Sequence, residues 1–268
     1  LHGSITNRVK GGHKEVIMKL KDKVAIVTGG VRGIGRAMAE GLAEEGASVV
    51  IVDMAKADLA AKEMIGKGFK TIGVKVDVSS EEDTARMAEE AVKSFGKIDI
   101  LINNAGIYTS LIPGPMENIT VEEWRKVMDV NVMGMWLCSK AVVGEMRKAG
   151  GGRIINLTSG VPFKGNPFLL HYVASKSAVI GLTRALAKEL GKDNILVNAI
   201  APGFTLSDGI MDNEIQLKHF REISAQARVL QRDQQPADLV GTAKFLAGPD
   251  SSFITGQTIV VDGGAYFH

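Results

Sequence analysis

From residue 20 onward, short apolar runs alternate with longer stretches in which apolar residues recur every three or four positions. The runs fall at 23–28, 48–53, 71–76, 98–102, 153–158, 195–200 and about 257–261. Each is short, and the first two are almost wholly apolar between their ends, which suits a strand buried on both faces. The intervening stretches predict helices from Ala37 to Gly46, at 56–67, at 80–95, over about 120–148 and through Ala174, Ala178, Val179, Leu182, Ala185, Leu186 and Leu190 to a stop at Gly191. Strand–helix repetition of this kind predicts a seven-stranded parallel sheet flanked by helices, a single doubly wound α/β domain. Ligands of such sheets bind beyond the carboxyl ends of the strands. Asp53, Asp77, Asn103, Ser159 and Pro202 all fall there.

Composition adds boundaries. An apolar share of 45% is ample for a sizeable core, and 31 glycines against 7 prolines indicate tight turns rather than disorder. The formal charge of +2 resides in residues 1–17, where Arg8, Lys10 and Lys14 face Glu15. The body at 18–268 is formally neutral, which argues against a nucleic-acid partner. Residues 1–17 read as a leader or extension ahead of a start at Met18. No run of about 18 apolar residues marks a membrane span. The single cysteine, Cys138, excludes an intrachain disulfide framework and points to a reducing, cytoplasmic compartment. No clustered His/Cys set suggests a metal site.

The first strand runs into Gly29-Gly30-Val31-Arg32-Gly33-Ile34-Gly35, followed at once by helix. Glycines let the backbone approach a pyrophosphate, and the helix amides face it. A nucleoside-triphosphate P-loop is excluded, since Arg36-Ala37 stands where Lys-Ser/Thr is required. Asp53 ends the second strand about 20 residues on, where a carboxylate accepts from ribose hydroxyls and repels a 2′-phosphate. That favours NAD over NADP. Arg32 pulls the other way, as a cation that could meet the extra phosphate.

Tyr172 and Lys176 lie four apart on one helix face. A free phenol titrates near about 10, and a nearby ammonium favours its anion. The pair could therefore exchange a proton with an alcohol or ketone. His171 points about 100° away from Tyr172 along the helix, so it reads as a pocket or surface residue.

In this order, Thr28-Gly29-x-x-x-Gly33-x-Gly35, Asn103-Asn104-Ala105-Gly106, Asn131, Ser159, Tyr172-x-x-x-Lys176 and Pro202-Gly203 resemble the short-chain dehydrogenase/reductase family over nearly all of 20–264. The resemblance implies a Rossmann fold and a nicotinamide cofactor. Tyr172 would be the general acid or base, Ser159 would hydrogen-bond the substrate oxygen, and Lys176 would hold the nicotinamide ribose and lower the tyrosine pKa. Asn131 would hold a water linking Lys176 to solvent. Gly29, Gly33, Ile34 and Gly35 would cradle the dinucleotide, with Ala105, Gly106, Pro202 and Gly203 beside it. Asp77 and Val78 would flank the adenine, and Asn104 would support the central strands or the adenosine side. Many members carry threonine where Ser207 stands, so Thr205 and Ser207 are alternative donors to the carboxamide.

Residues 203–235 occupy the place of the family's substrate lid, with Phe204, Leu206, Ile210, Met211, Ile215, Leu217, Phe220 and Ile223 giving it an apolar face. Val161, Phe163, Phe204, Tyr108 and Ile112 are candidate pocket walls. A neutral, fairly hydrophobic small-molecule substrate is expected. Stretches around 153–159 and 252–264 are similar to 1-phenylethanol dehydrogenases and to 3-oxoacyl-carrier-protein reductases. The leading expectation is therefore an NAD-dependent secondary-alcohol dehydrogenase, the alternative an NADPH-dependent 3-oxoacyl-carrier-protein reductase. A non-catalytic dinucleotide sensor is disfavoured because tyrosine and lysine are both retained. A serine hydrolase is excluded because Ser159 lacks the preceding glycine of a nucleophile elbow. By family analogy, the last strand carries homotetramer contacts.

Overall fold

β1 (Val24–Thr28) is buried at every residue, and β2 (Ser48–Asp53) at all but its ends. That is why both read as unbroken apolar runs: helices cover the sheet on both faces. The computed structural model describes residues 18–267. The proposed leader, 1–17, lies outside them.

The sheet continues with β3 (Thr71–Lys75), β4 (Ile100–Asn103), β5 (Gly152–Leu157), β6 (Ile195–Pro202) and β7 (Thr258–Val261). All seven strands pair in parallel, in the order β3-β2-β1-β4-β5-β6-β7. The expected single doubly wound domain is present. Chain direction across the sheet reverses between β1 and β4, which opens a crevice at their carboxyl ends. One face packs on α1 (Gly33–Glu44), α2 (Ala57–Gly66) and, later in the chain, α10 (Ala237–Ala247), through Met38, Leu42, Met64 and Leu239. The other packs on α3 (Glu81–Phe95), α5 (Gly134–Lys148) and α7 (Leu170–Leu190), through Met87, Cys138, Val142 and Leu190.

Local chemistry sets the boundaries. Ser80 accepts the Asp83 amide to cap α3, and Gly96 stops it at φ 82°, a left-handed turn open to glycine. The helix expected over 120–148 is three pieces: α4 (Val121–Met128), a π-helical turn at Asp129–Met133, and α5. The wide turn carries Asn131, fully buried. α6 (Val161–Lys164) is a single turn after β5. The segment 203–235 folds as α8 (Asp208–Met211) and α9 (Glu214–Gln226). Ile210 and Phe220 face inward, whereas Ile215 and Ile223 are exposed.

Between the layers runs a buried polar chain. Asn103 Nδ2 donates to Asn156 Oδ1 (2.9 Å) and Ser139 Oγ (3.2 Å), and Asn156 Nδ2 donates to Thr183 Oγ1 (3.0 Å). It joins β4, β5, α5 and α7. Among the described residues, no helix is long and apolar enough to cross a membrane.

Candidate active site

A cleft of about 310 Å³ opens at the carboxyl ends of the strands. Its walls come from the glycine turn after β1, the ends of β2, β4, β5 and β6, α7 and the 203–235 segment.

At one end, Gly29, Arg32, Gly33 and Ile34 form the wall, with Asp53 beside them. Gly29 has φ +63°, and a Cβ there would lie 2.8 Å from Asn104 Nδ2. Gly35 does not reach the cleft. A Cβ on it would lie 2.1 Å from the Gly29 oxygen, so its role is to let α1 close on the turn. Asn104 Nδ2 donates to the Thr28 and Gly29 oxygens (3.0 Å each), tying β4 to the same turn. Amides, glycine surface and a strand-end carboxylate together fit a dinucleotide.

At the other end, Ser159, Tyr172 and Lys176 share the cleft wall with Ala105, Gly106, Val161, Pro202, Gly203, Phe204 and Thr205. Tyr172 is 7% exposed; burial pushes its phenol up to about 12, and a hydrogen bond with Ser159 draws it back. The sequence-based expectation was that Lys176 sets this pKa. In the structure it does not, because Lys176 Nζ donates to the Leu157 carbonyl oxygen (2.8 Å) and sits 5.8 Å from the tyrosine ring centre. Burial lowers the lysine itself to about 8. The Tyr108 ring lies 4.6 Å from that of Tyr172, and Leu169 and Phe220 extend this apolar wall.

Asn131 stands one layer back. Its Oδ1 accepts the Ile107 amide (2.7 Å), and its Nδ2 donates to the Ile107 oxygen and to Ser175 Oγ (3.1 Å each). Ser175 Oγ in turn donates to the backbone carbonyl oxygen of Tyr172 (2.8 Å). The side chain is thus spent on joining the β4 loop to α7.

Several expected contacts fall elsewhere. The Asp77 carboxylate accepts from the Ser79 amide (2.9 Å) and hydroxyl (2.6 Å), closing its own turn, and does not line the cleft. Val78 is buried against Gly134. Phe163 stacks on Tyr266 with centroids 5.3 Å apart, outside the cleft. Ile112 is exposed, and His171 is buried with Nε2 3.4 Å from Glu123. Thr205 Oγ1 donates to the Gly203 oxygen (3.0 Å), and Ser207 lies against Gly33.

Sequence reasoning missed Thr158, whose hydroxyl donates to the Lys176 oxygen (2.7 Å), and Gln216. Gln216 is fully buried, and its Nε2 donates to the Tyr108 and Leu111 oxygens (2.8 Å each). A glutamine set among Asn213, His219 and Phe220 on its helix face gave no signal of burial. Lys164, Asn166 and Ser224 also line the cleft.

Glycine turn, strand-end carboxylate and serine–tyrosine–lysine set along one crevice define a nicotinamide-dependent oxidoreductase. The chain belongs to the short-chain dehydrogenase/reductase family. A family model described as Enoyl-(Acyl carrier protein) reductase matches residues 29–266. The chain is 39% identical over 248 residues to the 3-oxoacyl-[acyl-carrier-protein] reductase FabG of Staphylococcus epidermidis, covering 91% of this chain and 99% of that one. It is equally identical over 249 residues to the 3-oxoacyl-[acyl-carrier-protein] reductase of a Synechocystis strain, covering 91% and 97%. Among solved structures, a short-chain type dehydrogenase/reductase from Mycobacterium marinum superposes with TM-score 0.86 at 31% identity, covering 94% and 98%. A Beutenbergia cavernae protein solved with bound NADP at low occupancy gives 0.84 at 36% identity, covering 93% and 98%.

Proposed function

We propose that the protein interconverts a secondary alcohol and a ketone, with NAD preferred over NADP. The observation that carries this reading is Ser159, Tyr172 and Lys176 together in the same cleft as the glycine turn and Asp53. With its phenol held near 12, Tyr172 is protonated at neutral pH and poised to donate to a ketone oxygen. Ser159 Oγ donates to that oxygen as charge develops on it. Lys176 and Asp53 hold the two riboses, and Asn131 fixes the loop and helix that position Tyr172. When bound, the nicotinamide supplies or accepts the hydride. Segment 203–235 acts as the lid, and Tyr108, Val161, Phe204 and Phe220 favour an apolar substrate body.

A second reading is supported by the relatives' names: reduction of a 3-oxoacyl thioester on a carrier protein, with NADPH. Asp53 opposes the NADPH part of it. The half-exposed edge strand β7 is proposed as a contact of a homotetramer, and the single buried thiol fits the cytoplasm.

The test is oxidation of racemic 1-phenylethanol with NAD and NADP in parallel, beside reduction of an acetoacetyl thioester with NADH and NADPH. Alcohol turnover with NAD supports the first reading. Thioester reduction with NADPH alone transfers the assignment to the second.

A further inference from the structure

The glycine turn is not left open to its ligand. Two carboxylates from α8 and its C-terminal cap reach across to it. Asp208 Oδ2 accepts the backbone amide of Gly33 at 2.8 Å, at the first residue of α1. Asp212 Oδ2 pairs with Arg32 at 2.8 Å. The sequence separations are 175 and 180 residues, so both contacts are tertiary and come from one short segment. Ser207 packs on the same glycine, 3.1 Å from where a Cβ of Gly33 would lie. The turn's single cation, Arg32, is therefore paired with Asp212, and Asp53 lines the same cleft.

An amide at a helix N-terminus is what a pyrophosphate seeks, and a guanidinium is what a ribose 2′-phosphate seeks. Here each is already engaged by an anion of the same sign as those phosphates. We infer that Asp208 and Asp212 are determinants of dinucleotide affinity and selectivity. Asp208 competes with the pyrophosphate for the Gly33 amide. Asp212 withholds Arg32 from a 2′-phosphate, so that Asp53 acts against NADP unopposed. The side of the lid that faces the cofactor thus screens the phosphates that enter. This rests on the glycine turn being the dinucleotide site, as proposed above.

The test is calorimetric binding of adenosine, ADP-ribose, NAD and NADP to the full chain, needing no turnover. Asn keeps one acceptor oxygen and the side-chain shape while removing the charge. Asp208→Asn is expected to tighten ADP-ribose and NAD about fivefold at low salt and to leave adenosine, which has no phosphate, unchanged. Asp212→Asn is expected to tighten NADP about threefold more than NAD. That gain disappears when Arg32→Gln is added, as coupling through the arginine requires. An ADP-ribose affinity unmoved by Asp208→Asn, or moved together with adenosine, overturns the role of Asp208. Equal shifts for NAD and NADP in Asp212→Asn overturn that of Asp212. Failure of the wild-type chain to bind ADP-ribose at all would instead remove the cofactor reading on which both stand.

Discussion

The Lys176 ammonium is anchored on the carbonyl oxygen of Leu157, the last residue of β5, at 2.8 Å. The lysine is fixed by the sheet rather than by the tyrosine one turn away. Thr158 holds the Lys176 carbonyl as well, so backbone and side chain of the lysine are both fastened to the end of β5.

That burial has a pH signature. The folded lysine titrates at about 8, against 10.5 for the ordinary group. Between those values the unfolded chain holds the extra proton, so stability rises with pH across this window. The burial penalty is complete below about 8 and absent above 10.5. Ligand-free wild type should therefore gain stability relative to Lys176→Met as pH rises through the window, measured by urea denaturation. A difference that stays flat would contradict it.

Tyr172→Phe should lower kcat about 10²–10⁴-fold while NADH binding, followed by fluorescence, stays roughly constant. Ser159→Ala removes the hydrogen bond that draws the phenol down. In alcohol oxidation its pH–rate profile should move to higher pH than that of wild type.

Asp53→Ala should narrow the NAD-to-NADP ratio of kcat/KM by about tenfold, since one carboxylate no longer repels the 2′-phosphate. An unchanged ratio would take the selectivity away from Asp53.

Gly35→Ala places a methyl group 2.1 Å from the Gly29 oxygen and 2.4 Å from Asn104 Nδ2. Overpacking of this kind costs about 1–3 kcal/mol. Reduced stability should come with weakened dinucleotide binding, because the displaced atoms belong to the turn itself. Gly114→Ala, with open space around it, is the control that should change neither.

Gln216→Leu leaves the Leu111 carbonyl unpaired, at about 1–3 kcal/mol, while the Tyr108 carbonyl keeps the Leu111 amide (3.0 Å). Part of this is offset, since the buried Gln216 Oε1 has no partner in the native chain. Limited proteolysis within 203–235 should quicken, and KM for the ketone should rise more than kcat falls. A variant cleaved no faster than wild type would show that the latch does not hold the segment.

The strands were legible because a sheet covered on both faces makes each run mostly apolar, with few polar residues such as Asn103 and Asn156 inside it. Ser48–Asp53 was delimited to the residue. Ser159, Tyr172 and Lys176 were legible because they sit at a strand end or one turn apart on a helix. What escaped were contacts between distant segments. Nothing in Asp77-Val78-Ser79 announces that the carboxylate will close its own turn. Nothing near Phe163 announces stacking on Tyr266, about a hundred positions on. The π-helical turn at Asp129–Met133 escaped for a different reason. One extra residue in a turn hardly disturbs apolar periodicity, yet it re-aims Asn131.

The buried amide chain through Asn103 and Asn156 bears on how the molecule assembles. These residues are direct neighbours across β4 and β5. An apolar strand can slide along its partner by two residues and still bury the same face, so hydrophobic pattern alone does not choose among such alignments. A slide here would separate the Asn103 and Asn156 amides from each other in dry surroundings, whereas Ser139 and Thr183 keep the carbonyls of their own helices. Mispaired chains are thus marked by their own interior polarity and driven to rearrange. Because Ser159 follows β5 and the glycine turn is tied to β4, correct alignment of this one strand pair also decides whether the two ends of the cleft meet.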